Sequence, residues 1–132
     1  MAITKGIHHV ALKVEEAKFD AVVKFYTDVF GLTVRKQMGE GVAAAAQLDS
    51  GNGVCLEVFA NGSPELPADG VVAHIGFWVD DPDDAAAKAE AAGCKVTITP
   101  RDVTMPTNPP SQIYVAFFRG LAGELVEIFY EK

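Results

Sequence analysis

Two histidines and two glutamates occupy matching places in the two halves of this sequence, and their side chains suit metal binding. They are His9 and Glu57 in the first half, and His74 and Glu127 in the second. Taken singly, a histidine or a glutamate in a strand has an ordinary structural role. Taken together on one sheet face, two imidazoles and two carboxylates would be unpaired if buried without a cation. The set therefore predicts a divalent metal site for Zn, Ni, Co, Fe or Mn, which accept nitrogen and oxygen ligands.

An internal repeat accounts for this matching. Three short segments of the first half return in the same order in the second half. Chance resemblance between two amphipathic stretches is the alternative, and the shared order argues against it. The turn-rich loop 61–70 joins the halves, so we expect a single domain over 1–132 with modules at about 1–62 and 70–132. The paired segments are His9-Val-Ala-Leu-Lys-Val with His74-Ile-Gly-Phe-Trp-Val, Gly31-Leu-Thr-Val with Gly93-Cys-Lys-Val, and Glu57-Val-Phe with Glu127-Ile-Phe.

Hydrophobic periodicity predicts the same series of elements in each half, namely a strand, a helix and three further strands. Apolar residues at helical spacing predict a helix over 16–30, which Gly31 ends. Asp81 is predicted to cap the second helix, with Pro82 at the first helical position and Gly93 after its end. The predicted strands are 7–14, 33–37, 43–49 and 54–59 in the first half, and 71–79, 95–99, 112–118 and 124–130 in the second.

Alternation along these strands assigns each side chain to a face. It puts the four candidate ligands on faces opposite the aliphatic residues, which are expected to pack on the helices. His8 alternates with His9 and is therefore expected on the aliphatic face, near its rim. Trp78 shares the ligand face and is either a substrate wall or a packing residue. The segment Pro100–Ser111 contains four prolines and is expected to be a loop, either a functional flap or an inert surface loop.

Length and composition narrow the class of protein. The 132 residues, 49% apolar and 22% charged, suffice for one domain with a real core. A net charge of −7 disfavours contact with nucleic-acid phosphates. Two cysteines, Cys55 and Cys94, suit a reducing compartment, and no stretch approaches the roughly 18 apolar residues of a membrane span. We therefore expect a cytoplasmic protein without a membrane anchor.

Five segments form a wider pattern along nearly the whole chain: Ile7-His-His-Val-Ala-Leu-Lys-Val, Lys24-Phe-Tyr-Thr-Asp-Val-Phe-Gly-Leu, Leu56-Glu-Val-Phe, Ala73-His-Ile-Gly-Phe-Trp-Val-Asp and Gly123-Glu-Leu-Val-Glu-Ile-Phe. This pattern resembles the vicinal oxygen chelate superfamily, which includes glyoxalase I, bleomycin-resistance proteins and extradiol dioxygenases. The resemblance implies an α+β fold of two tandem βαβββ modules whose mixed sheets form a metal-binding cup. It implies that the two histidines and two glutamates are the ligands, with Zn or Ni as the first choice of metal and Co, Mn or Fe as alternatives.

The four-ligand set is most similar to the glyoxalase I branch, which converts the hemithioacetal of a 2-oxoaldehyde and glutathione to a 2-hydroxyacyl thioester. This likeness implies a metal-dependent lyase or isomerase in which Glu127 is the leading base and Glu57 the second, with an enediolate between the two proton transfers. Lys13 and Asn61 match places where glyoxalase I binds glutathione, so glutathione or another thiol is the candidate cosubstrate. Gly70 departs from the pattern, because some relatives carry a glutathione-binding arginine there.

Other functions stay open at this point. Methylmalonyl-CoA epimerase uses the same proton chemistry, typically with Gln where Glu57 stands, and other metalloenzymes of the superfamily are further alternatives. A non-catalytic binding protein similar to the bleomycin-resistance proteins is an alternative of another class. The metal content of the purified protein would distinguish it from a metalloenzyme, because those relatives lack the metal ligands. Relatives complete their sites by dimerising, so we expect a homodimer acting on a small molecule, with neither nucleic acid nor membrane as a partner.

Overall fold

Each half of the chain folds into a four-stranded mixed sheet with one α-helix packed against it. The computed structural model describes residues 7–64, 74–106 and 109–132. The chain divides into two compact units, Met1–Leu66 and Pro67–Lys132. Both units have the same order of elements, which confirms the predicted α+β fold of two βαβββ modules.

The first unit contains four strands, one α-helix and two short 3₁₀ turns: β1 (His9–Lys13), a turn at Glu16–Lys18, α1 (Phe19–Asp28), β2 (Thr33–Met38), a turn at Gly41–Ala43, β3 (Ala45–Asp49) and β4 (Cys55–Phe59). The order in the sheet is β1-β4-β3-β2. β1 runs parallel to β4, and the other pairs are antiparallel. The chain therefore brings its first and last strands side by side.

The apolar stripe of α1 forms the core of this unit. Its Val22, Phe25 and Tyr26 are buried, and Leu48 and Val58 of the sheet are fully buried too. Burial of each such side chain contributes about 1.5–3 kcal/mol. The predicted helix over 16–30 is shorter than expected, because its first turn is a 3₁₀ turn without a capping side chain. The chain leaves the helix near Gly31 with φ +71°, as its sequence predicted.

The second unit repeats this arrangement: β5 (Ile75–Trp78), α2 (Pro82–Ala91), β6 (Lys95–Met105), β7 (Ser111–Arg119) and β8 (Leu125–Glu131). The order in the sheet is β5-β8-β7-β6, with β5 parallel to β8. Helix α2 packs against β6, β7 and β8. The first and last strands are again neighbours, as in the first unit.

Helix α2 begins as the sequence predicts. The carboxylate of Asp81 accepts a hydrogen bond from the backbone N–H of Asp84 at 3.0 Å, and Pro82 is the first helical residue. Asp83 and Asp84 lie in the first turn, where carboxylates interact favourably with the helix dipole. The predicted cap is confirmed.

The predicted loop Pro100–Ser111 is largely wrong. Strand β6 continues to Met105 and pairs with β7 from Arg101–Val115 to Met105–Ser111. A strand at the edge of a sheet tolerates proline, because its outer N–H groups need no partner within the sheet. The register also shifts between Val96 and Arg101, which places Pro100 at an irregularity of the ladder. The proline-rich connection shortens to 106–110, of which 107 and 108 lie outside the described residues.

Two expectations from composition can be compared with the structure. Cys55 and Cys94 are both buried and free, so they form no disulfide. Among the described residues, no helix has the length and apolar character needed to cross a membrane.

Candidate metal centre

The first candidate pair joins the neighbouring strands β1 and β4. His9 Nδ1 lies 3.1 Å from Glu57 Oε2. The parallel register sets His9 opposite Cys55 and Ala11 opposite Glu57, so a small methyl side chain lies beside the carboxylate. The side chains are 47% and 19% exposed for His9 and Glu57, respectively. The pair is thus accessible on the imidazole side and partly shielded on the carboxylate side.

The second candidate pair has the same construction. His74 precedes β5, and its Nε2 lies 3.5 Å from Oε2 of Glu127 in β8. Gly76 is opposite Glu127, just as Ala11 is opposite Glu57. The exposed fractions are 41% for His74 and 19% for Glu127, close to those of the first pair. Each unit therefore holds one histidine–glutamate pair with a small residue beside the carboxylate.

The other neighbour of each carboxylate differs between the units. On β3, the polar Gln47 is opposite Glu57. On β7, the aromatic Phe117 is opposite Glu127, and its ring makes an edge contact with the His74 ring at 5.8 Å between centroids. Glu127 therefore has a more apolar neighbour than Glu57, which favours different chemical roles for the two carboxylates.

A second aromatic pair lies further along the strands of Glu127 and His74. Trp78 stacks on Phe129 with centroids 6.2 Å apart and an angle of 25° between the rings. Trp78 is 68% exposed, so its ring is not a core residue. The substrate wall that the sequence offered as one role for Trp78 therefore stays a prediction.

Lys13 and Asn61 lie at one end of the first sheet. Lys13 is the last residue of β1, and Asn61 follows shortly after β4; both are exposed. The Gly62 N–H donates to the Val14 carbonyl at 2.9 Å, which holds the segment after β4 against the end of β1. A Cβ at Gly62 would lie 2.7 Å from the Val14 carbonyl carbon, so this close approach requires glycine. Lys13 is about 13 Å along the strand from His9, a separation that suits the distal part of an elongated ligand.

His8 is a candidate ligand that the sequence did not predict. Its Nδ1 lies 2.9 Å from His9 Nδ1, and a ligand atom of each of His8, His9 and Glu57 lies within 4.8 Å of the others. The expectation that His8 faces the aliphatic side is therefore wrong. His8 precedes the first residue of β1, so the alternation of a regular strand does not apply to it. The sequence feature that could have indicated His8 as a ligand is the pair of consecutive histidines at the start of β1.

The chemistry of these donors fits a divalent transition metal. Imidazole nitrogen and carboxylate oxygen are the usual ligands of Zn, and the same set suits Ni, Co, Fe and Mn. The donors of each pair already lie 3.1 Å and 3.5 Å apart, as ligands of one ion would. The residues thus fit the metal that the family resemblance implies.

Comparison with known proteins shows the family and the fold of the chain. The sequence profile of the Glyoxalase/Bleomycin resistance protein/Dioxygenase superfamily matches residues 6–128. YwbC, an uncharacterized protein of Bacillus subtilis, is 30% identical over 131 residues, which cover 96% of this chain and 98% of YwbC. The trypanothione-dependent glyoxalase I of Leishmania major superimposes with a TM-score of 0.70 at 18% identity, over 96% of this chain and 87% of that one.

TioX from a Micromonospora species superimposes with a TM-score of 0.68 at 24% identity, over 96% of this chain and 99% of TioX. Structural likeness at these identities shows a common fold. The profile match covers nearly the whole chain, and the match with YwbC covers 96% of it. The chain therefore belongs to the Glyoxalase/Bleomycin resistance protein/Dioxygenase superfamily.

Proposed function

We propose that the protein is a metal-dependent lyase or isomerase similar to glyoxalase I, acting on the hemithioacetal of a 2-oxoaldehyde and a thiol. One observation carries the proposal: each unit holds a histidine–glutamate pair at the same place in its sheet, at 3.1 Å and 3.5 Å. The internal repeat explains why the pair occurs twice. The metal site is supported by the donor chemistry, because each pair brings an imidazole nitrogen and a carboxylate oxygen to the spacing of two ligands of one ion.

His9, Glu57, His74 and Glu127 are the residues that would hold the ion. When bound, the metal would act as a Lewis acid and stabilise negative charge on the substrate oxygen, a contribution of several kcal/mol. The two imidazoles serve only as anchors in this account. The two glutamates can also accept a proton, so the acid–base chemistry belongs to them.

Glu127 is the proposed base. Its carboxylate lies between Gly76 on one neighbouring strand and Phe117 on the other. Gly76 has no side chain beside the carboxylate, and Phe117 is an apolar neighbour where Glu57 has the polar Gln47. Glu127 would take the proton from the carbon that carries the hydroxyl and the thiol sulfur and return it to the former carbonyl carbon. The hydroxyl proton would pass to the oxygen of that second carbon, so that the thioester carbonyl and the new hydroxyl group form together. A positioned base of this kind contributes about 10²–10⁴ in rate.

The proposed thiol-binding residues are Lys13 and Asn61. An ammonium and an amide can pair with the carboxylate and peptide groups of glutathione or a similar thiol. Their place at the far end of β1 from His9 suits the distal part of such a cosubstrate.

The direct experiment measures turnover of methylglyoxal with glutathione after loading the protein with Zn or Ni. We expect metal-dependent formation of the thioester, and loss of that activity on chelation. Turnover of methylmalonyl-CoA in place of methylglyoxal would replace this assignment with an epimerase. Tight binding of a small ligand with neither metal nor turnover would replace it with a binding protein.

A further inference from the structure

The first unit offers a third metal donor that the second unit lacks. His8, His9 and Glu57 each bring one ligand atom to within 4.8 Å of the other two. At the position of the repeat that corresponds to His8, the second half carries Ala73, which has no donor atom. The two halves therefore differ in the number of ligands that they can supply.

Hydrogen bonds alone do not account well for the short contacts among these three side chains. His9 Nδ1 is 2.9 Å from His8 Nδ1 and 3.1 Å from Glu57 Oε2. A ring nitrogen carries either one N–H or one lone pair in the ring plane. If His9 Nδ1 carries the proton, that one N–H must be shared between the Glu57 carboxylate and His8 Nδ1. If His9 Nδ1 is unprotonated, it can accept a hydrogen bond from His8 Nδ1, but its lone pair then lies close to the negatively charged carboxylate of Glu57. A cation removes this conflict, because each of the three atoms can direct its own lone pair at it.

The exposure of the cluster permits an ion to enter. His8 is exposed, the His9 side chain is 47% exposed and the Glu57 side chain is 19% exposed. Two imidazoles and one carboxylate also form a recognised ligand set for divalent first-row metals that leaves positions open for further ligands.

We propose that the first unit binds a divalent transition metal by itself through His8, His9 and Glu57, and that the second unit does not. The inference rests on the proposed metal-dependent function for His9 and Glu57, and it adds His8 as a ligand.

The test is Co²⁺ titration of the full chain, followed by the visible d–d absorption of the bound ion. The double variant His74→Ala/Glu127→Ala is expected to bind Co²⁺ stoichiometrically, and His9→Ala/Glu57→Ala is expected to show no saturable binding. Adding His8→Ala to the first double variant should weaken binding by at least about tenfold. Ile7→Ala in the same background is the matched control, since Ile7 is exposed and has no donor atom. Circular dichroism verifies that each variant is folded.

The outcomes separate this inference from the proposed function. Absence of Co²⁺ binding by folded His74→Ala/Glu127→Ala would overturn the inference, and so would equal affinity with and without His8. Equal affinity of the wild type and His74→Ala/Glu127→Ala, with loss on His8→Ala, would support the inference and contradict the four-ligand function.

Discussion

Glu57 and Glu127 are related by the repeat, yet their surroundings differ. Both pair with a histidine, and both have a small residue on the parallel strand beside them. On the antiparallel side, Glu57 is next to an amide and Glu127 is next to an aromatic ring. The family resemblance assigns the proton transfer to Glu127, and its more apolar neighbour is consistent with that proposed role.

Glu127→Gln is therefore expected to lower kcat by about 10²–10⁴, because the amide cannot accept the proton from carbon. Steady-state kinetics of the metal-loaded protein measure this. Glu131→Gln is the matched control, as Glu131 is exposed at the end of the same strand and on the same face. Full turnover in Glu127→Gln would refute its role as the base.

Cys94 makes stability depend on alkaline pH. Burial, followed by the nearby charge of Glu124, raises the pKa of the Cys94 thiol from about 9 to about 11. A raised pKa means that the folded state holds this proton more tightly than the unfolded state does. Its contribution to stability is therefore complete below pH 9 and is lost as the pH rises towards 11.

Between pH 8 and pH 10.5, the unfolding free energy of the wild type should fall by about 1 kcal/mol more than that of Cys94→Ala. Urea unfolding at the two pH values measures both falls. Parallel declines in the two proteins would show that Cys94 does not titrate abnormally.

At the scale of elements, the sequence predicted features that depend on neighbouring residues well, and it predicted the pairing of strands poorly. The cap of α2 could be predicted because Asp81 and Pro82 act within one turn. The extension of β6 could not, because prolines in the segment indicate a loop unless the strand is known to lie at a sheet edge. His8 was misplaced for a related reason: alternation assigns faces only inside a regular strand, and β1 begins one residue later.

The cap provides a quantitative test at this scale. Asp81→Ala removes the acceptor for the Asp84 N–H and should lower the free energy of unfolding by about 1 kcal/mol. Asp80→Ala removes an equal charge one residue earlier, outside the cap, and should cost only a few tenths of a kcal/mol. Chemical denaturation compares the two variants. Similar losses in both would mean that charge, rather than the capping hydrogen bond, stabilises the start of α2.

At the scale of the whole molecule, the duplication supplies two pairs of donors, and the repeat visible in the sequence predicted both of them. In each pair, the histidine lies at the start of the first strand or just before it, and the glutamate lies in the last strand. The parallel pairing makes these two strands neighbours. The family resemblance allowed each histidine to be paired with its glutamate. Alternation of residue types along the strands indicated only the sheet face on which each side chain lies.

We expect the protein to be a homodimer. Several large apolar side chains are exposed on the described surface, among them Met38, Val42 and Trp78 at 65%, 64% and 68%. Association of two copies would remove such surface from water. Size-exclusion chromatography with light scattering should give twice the chain mass of 14.0 kDa. A mass of a single chain at every concentration tested would contradict the expectation.

The most direct test of the central claim is the metal content of the protein purified without added metal or chelator, measured by elemental mass spectrometry. The account predicts a stoichiometric divalent transition metal, with Zn or Ni first. It also predicts weaker binding when any of His9, Glu57, His74 and Glu127 is replaced by alanine. A folded protein that contains no metal, and takes up neither Zn nor Ni on titration, would contradict it.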